Sequence, residues 1–201
     1  MNKQQFWQAL ADYQHQDEAA KKKTSTWLWD KYGLEIAVLI IDMSGFTAKS
    51  EQYGIIHYLS MIKRMQMMVS DSIGSHQGQI VKFFADNCMA TFINPIDAFN
   101  FSIALNQQCH SNSTKDEFEI RLSCGIDFGR ILMVEGQDCF GMAVNHASKL
   151  GEDTAKHGQI LITQKAADLF PENISADPQS SSISGVEIVF YTVEYESYQT
   201  K

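Results

Sequence analysis

The sequence predicts an α+β fold: a ferredoxin-like βαββαβ core with a mostly antiparallel sheet and helices, extended by a further C-terminal helix and strands. Three observations carry this. Residues 36–41 (IAVLII) form a continuous apolar run that stops at Asp42, as a buried central strand does. Residues 55–73 place Ile55, Leu59, Ile62, Met65, Val69 and Ile73 at helical spacing. Two strand-like runs, 79–84 and 88–93, then flank Asp86-Asn87, a pair with hairpin-turn chemistry.

The remaining elements follow in order. Residues 3–20 read as an amphipathic helix with Phe6, Trp7, Leu10 and Tyr13 near one face. Lys21 to Lys23 and an aromatic group, Trp27, Trp29 and Tyr32, come next. Residues 1–33 are thus expected to form a helical extension, packed on the domain or on a partner chain. Pro95 opens a helix over 96–109, and the polar stretch 110–116 is a loop. Strands are expected at 118–126 and 130–135 around Gly129, then a helix at 142–156. A strand at 159–163, a short helix at 164–170, a Ser-rich loop at 171–184 and a strand at 186–195 complete the pattern. The expected domain is 34–196, with a disordered tail at 197–201.

Composition narrows the function. A chain of 201 residues, 44% hydrophobic, buries one sizeable core. Sixteen basic against twenty-four acidic residues give a net charge of −8, which argues against a nucleic-acid partner. No apolar run approaches the roughly 20 residues that span a bilayer. The N-terminus lacks the apolar stretch of a secretory signal. A cytoplasmic protein without membrane insertion is expected. Cys88, Cys109, Cys124 and Cys139 show no zinc spacing and read as buried thiols. His57, His76, His146 and His157 form no metal spacing either, and Met61, Met65, Met67 and Met68 read as helix packing.

Asp42 closes the first strand, and Asp86 sits at the tip of the next hairpin. These tips are neighbours in a ferredoxin-like sheet, so the carboxylates can converge on Mg²⁺ or Mn²⁺. Ordinary turn residues satisfy the same spacing. The segment Asp42-Met43-Ser44-Gly45-Phe46-Thr47 leaves a strand and offers backbone N–H groups that suit phosphate oxygens.

Here the sequence resembles the class III nucleotidyl cyclases, the adenylate and guanylate cyclase catalytic domains. Residues 41–47 (IDMSGFT) resemble their first metal-binding motif and 81–90 (VKFFADNCMA) their second. Residues 140–150 (FGMAVNHASKL) resemble the third, and 158–162 (GQILI) the strand that follows. The motifs stand in the family's order over roughly 34–195, and the ordered set is far more specific than any one of them.

The resemblance implies a class III cyclase-like fold and an adenylate cyclase-like lyase acting on a nucleoside triphosphate, most readily ATP, with two Mg²⁺ or Mn²⁺. It implies Asp42 and Asp86 as metal ligands, with Met43 and the backbone of Gly45, Phe46 and Thr47 at the metal and triphosphate. Lys82 and Asp138 match the base-reading positions, Asn145 the ribose-orienting residue and Lys149 the cation at the α-phosphate. It also implies a homodimer whose sites take metal ligands from one chain and base readers from the other. A cyclase of another base preference, and a nucleotide-binding signalling module of weak activity, are the alternatives.

The sequence departs from the family at several points. Lys149 replaces an arginine and loses its planar fork. Ala85 stands where glycine precedes the second aspartate. Ser123 and Ser184 occupy positions where relatives carry cations; Arg121, two residues before Ser123, is the candidate substitute at the triphosphate. The arm between Arg130 and Asp138 is short.

Overall fold

The computed structural model describes residues 2–43, 51, 53–113, 120–171, 176–183 and 186–194. Helices α1 (Lys3–Tyr13) and α2 (Glu18–Tyr32) precede β1 (Gly33–Met43). Then come α3 (Ile55–Ser72), a 3₁₀ turn at Ile73–His76, β2 (Gly78–Phe84), β3 (Asn87–Phe92) and α4 (Pro95–Ser113). Next are β4 (Leu122–Val134), β5 (Asp138–Phe140) and α5 (Met142–Ser148), which runs into a π-helical turn, Lys149–Thr154. The described chain closes with β6 (Gln159–Thr163), α6 (Gln164–Ala167), β7 (Pro178–Ile183) and β8 (Val186–Glu194).

The sheet order is β2-β3-β1-β4-β6-β8-β7, with β5 paired to β4. Every pairing is antiparallel except β4 with β6. The first four strands, with α3 and α4, are the expected ferredoxin-like unit. Ala37, Leu39 and Ile41 face α3 and α4, packing with Tyr58, Met65, Val69, Phe99 and Ile103. Val38 and Ile40 face the opposite way, against Ala143, Val144 and Ala147 of α5. Burial on both faces explains why residues 36–41 show no alternation. It also places a helix on the face that a ferredoxin-like unit leaves bare.

Several elements differ from expectation. The predicted 3–20 helix is two helices: Asp17 stops the run and caps α2, its Oδ1 accepting the Ala20 N–H at 2.8 Å. Strand β4 runs unbroken through Gly129, and the turn falls at 135–137, where Glu135 and Gly136 take φ of 54° and 68°. Helix α4 continues to Ser113, into the predicted loop. The predicted 142–156 helix is α-helical only to Ser148. Strand β7 lies inside the predicted Ser-rich loop and pairs with β8. The hairpin turn is Ala85-Asp86, not Asp86-Asn87, and Ala85 takes φ of 50°, where glycine fits without strain.

Helices α1 and α2 pack on the end of β4, with Phe6, Leu28 and Tyr32 gathered around Val134. Arg130 lays its guanidinium 4.6 Å from the Trp29 ring centre. All four cysteines are buried thiols outside any disulfide, and burial pushes each thiol up to about 12, so they are unreactive core groups. No helix among the described residues is long and apolar enough to cross a membrane.

Candidate active site

Strand β1 delivers Asp42 to the sheet's upper end, beside Asn87 of β3 and Ser123 of β4. The β2–β3 turn brings Asp86 to the same place, and the Met43 N–H donates to the Asp86 carbonyl at 3.3 Å. Tyr58 of α3, fully buried, ties the two segments. Its hydroxyl lies 2.9 Å from Asp86 Oδ2 and 3.3 Å from the Met43 carbonyl oxygen. This tether escaped the sequence reading, because Tyr58 sits on the helix's apolar face like any core aromatic.

The acids repel one another. Burial, then the Asp86 charge and then Glu152, raise the Asp42 carboxyl to about 6, against a hydrogen bond from Ser123 that lowers it; Asp153 adds a smaller push. Burial also raises Glu152, with further pushes from Asp153 and Asp86 and an opposing hydrogen bond from Ser148. The Tyr58 hydroxyl is raised by burial and by its bond to Asp86. The π-helical turn thus carries Glu152 and Asp153 toward the two predicted acids, a convergence that sequence spacing did not announce.

Lys82 and Asp138, 56 positions apart, meet across β2 and β5 with Nζ 2.7 Å from Oδ1. A bulge at Val81 shifts the β2 register just before Lys82. The Cys139 N–H also donates to Asp138 Oδ1, at 3.0 Å. Asn145 is exposed on α5. Lys149, one turn on, donates to Asp153 Oδ2 at 2.5 Å. Arg121 is exposed and stands just ahead of β4, while Ser123 is buried at the Asp42 pair. Gly45, Phe46, Thr47 and Ser184 lie outside the described residues.

The model of the adenylate and guanylate cyclase catalytic domain matches residues 31–192. The chain belongs to that family. Among curated relatives, this cyclase domain is 28% identical over 131 residues to an uncharacterized protein of Mycobacterium tuberculosis, covering 65% of this chain and 33% of that protein. It is 29% identical over 130 residues to "putative adenylate cyclase 3" of Rhizobium meliloti, covering 63% and 22% respectively. The chain thus spans a third or less of the length of these relatives. Among solved structures, the adenylate/guanylate cyclase/hydrolase of Silicibacter pomeroyi matches with a TM-score of 0.65 at 22% identity, covering 80% of this chain and 96% of that one. The catalytic core of a rhodopsin-guanylyl cyclase of converted specificity, in complex with ATPαS, matches with a TM-score of 0.70 at 18% identity, covering 80% and 97%. These likenesses establish the fold.

The donor set of the cyclase domain suits hard divalent cations. Asp42 and Asp86 repel each other, and a bound cation relieves that repulsion. Among the described residues no three acidic, histidine or cysteine side chains form a closed cage. Two carboxylates leave coordination open to water and phosphate oxygens, the usual arrangement for Mg²⁺.

A pH dependence follows. Asp42 holds its proton longer folded, to about pH 6, than unfolded, where its ordinary value is 3.8. Between these values the native state binds more protons, so metal-free stability falls as pH rises from about 4 to about 6. Glu152 contributes in the same direction. Thermal melts across this range are expected to show the decline, and Asp42→Asn to flatten it. Mn²⁺ is expected to raise the melting temperature more at pH 7.5 than at pH 5, where protons compete.

A cavity of about 420 Å³ lies apart from these residues, lined by Asp127, Arg130, His146, Lys165 and Glu187 among others. Buried Asp127 accepts from the Thr163 hydroxyl at 2.5 Å and the Phe128 N–H at 2.7 Å, with His146 Nδ1 2.8 Å away. His146 therefore packs as a partner of a core carboxylate.

Proposed function

We propose that the chain is a nucleotidyl cyclase that converts ATP to cyclic AMP and pyrophosphate, at sites shared between two copies of itself. The carrying observation is the Asp42–Asp86 pair, whose charges act on one another, with the buried Tyr58 hydroxyl tying Asp86 to the Met43 carbonyl beside Asp42. Asp42 and Asp86, with the Met43 carbonyl, would hold two Mg²⁺ or Mn²⁺. When bound, these ions supply a lowered pKa at the ribose 3′-hydroxyl and neutralise the departing pyrophosphate.

The chain's own groups do the rest. Lys82 donates to an adenine ring nitrogen and Asp138 accepts from its exocyclic amine; their mutual ion pair holds both at the required spacing until the base arrives. Asn145 orients the ribose. Lys149 leaves Asp153 for the α-phosphate, where charge grows as the 3′-oxygen attacks. Arg121 and the Gly45–Thr47 backbone serve the triphosphate. The putative adenylate cyclase of Rhizobium meliloti and the ATPαS complex support ATP. A guanylyl cyclase domain from Catenaria anguillulae in complex with GTP, with a TM-score of 0.67 at 16% identity over 79% of this chain and 94% of that one, makes GTP the second substrate to test.

The test is incubation of the purified chain with each of four triphosphates and Mn²⁺, with products identified by mass spectrometry. Cyclic AMP is expected as the main product. Cyclic GMP as main product moves the reading to guanylate cyclisation. No cyclic product from any triphosphate ends it.

A further inference from the structure

The aromatic contacts of α1 converge on the strand that carries Asp138. Phe140, two residues beyond Asp138 on β5, stacks on Phe6 with ring centres 6.0 Å apart and planes at 12°. Trp7 meets the same ring edge-on at 5.7 Å. Phe6 is itself locked, edge-on to Tyr32 at 5.0 Å and to Trp7 at 5.2 Å. Polar contacts fix the helix's N-terminal end. The Lys3 N–H donates to Glu135 Oε1 at 2.7 Å, in the turn that joins β4 to β5. The Tyr32 hydroxyl donates to the Asn2 carbonyl at 2.9 Å, and Lys31 to Gln5 Oε1 at 2.6 Å.

Strand β5 needs this support. It has three residues, pairs only with β4 on the described sheet path, and follows a turn with two residues at positive φ. So short a strand holds its register weakly by backbone bonds alone. Its inner residue, Cys139, is buried against Met89 of β3, while Asp138 and Phe140 alternate to the other side. The α1 aromatics therefore grip the side of β5 from which Asp138 reaches Lys82.

We propose that α1, through Phe6, Trp7 and Phe140, positions Asp138, so that the segment ahead of the cyclase domain sets nucleotide affinity and base preference. This rests on the reading of Lys82 and Asp138 as base readers. Phe6, Trp7 and Phe140 are positioning residues: they act through Asp138. The helix lies wholly outside the stretch matched to the family, so this device belongs to this chain's own extension.

The experiment compares Trp7→Ala, Phe140→Ala and Phe140→Tyr in the full chain, each also with Asp138→Ala. The expected result for Trp7→Ala and Phe140→Ala is a KM for ATP about tenfold higher, kcat changed less than twofold, and a lower ratio of ATP to GTP turnover. Phe140→Tyr, which keeps the ring, is expected to restore all three. With Asp138 already alanine, Trp7→Ala is expected to add nothing. Equal losses for ATP and GTP, or full additivity with Asp138→Ala, overturn the proposal, since the helix would then act by general packing. If Phe140→Ala fails to fold, Trp7→Ala carries the test, because Trp7 is half exposed. If the wild-type chain cyclises nothing, the functional reading fails alone. Hydrogen exchange at the Cys139 amide, which spans Asp138 Oδ1, then decides: faster exchange in Trp7→Ala supports positioning, and unchanged exchange overturns it.

Discussion

Asp86→Asn is expected to lower kcat by about a thousandfold or more, because it removes one of two charges that would bind the reaction's cations. The amide keeps the shape of the carboxylate and can still accept from the Tyr58 hydroxyl, now 2.9 Å from Oδ2. The turn and the α3 tether thus remain, and the loss reports charge rather than fold. Asp86 also raises the Asp42 carboxyl, so its neutralisation lets Asp42 ionise at lower pH. The variant should consequently be no less stable than wild type near neutral pH without metal. Mn²⁺, which is expected to raise the wild-type melting temperature, should leave that of Asp86→Asn almost unmoved. Retention of kcat within threefold of wild type would show that Asp86 holds no catalytic cation. Tyr58→Phe separates tether from charge: it keeps both acids but releases Asp86 and the Met43 carbonyl from α3, and a roughly tenfold loss in kcat is expected, with metal-induced stabilisation retained.

The fold was legible where apolar pattern and burial coincide. The run at 36–41 marked β1, and the spacing of Ile62, Met65, Val69 and Ile73 marked α3, because each buries a continuous surface. The same logic fails at β7, whose serines pair with β8 at the sheet's edge with no apolar face to announce them. Gly129 suggested a turn, yet it lies in mid-strand, paired with Ile36 of β1. The polar stretch at 14–17 broke a helix that periodicity joined, since Asp17 gains more as a cap than as a helix interior.

The site was legible in a different way. Position alone suggested Asp42 and Asp86, but nothing in spacing joins Lys82 to Asp138; the resemblance did, and the ion pair at 2.7 Å places them together. Tyr58, Glu152 and the Asp127–His146 pair went unseen. Each looks like a core or surface residue until three-dimensional neighbours are known. The substitution of lysine for arginine at 149 gains meaning from Asp153 four residues on, a spacing at which a single ammonium is easily held.

Gly125→Ala is expected to destabilise the chain by about 3 kcal/mol or more, or to prevent folding outright. Gly125 lies on β4, opposite Ile40 of β1, on the face that α5 covers. A Cβ there would stand 2.1 Å from the Ala147 carbonyl oxygen and 2.4 Å from the Gly151 backbone nitrogen. Both are backbone atoms of the α5 segment, so no side-chain rotation relieves the clash; the helix end must lift. Lifting it strips Val38, Ile40 and Ala147 of their packing and carries Asn145 and Lys149 away from the sheet. Denaturant midpoints and kcat should therefore fall together. Gly129→Ala is the control on the same strand face. Its Cβ would meet Lys165 Nζ at 3.1 Å and the Ala143 methyl at 3.5 Å. The first is the far end of a flexible side chain, so a cost below about 1 kcal/mol is expected. Equal costs at the two glycines would mean that α5 is not held against β4 by backbone approach, and that the placing of Asn145 and Lys149 rests on something other than this contact.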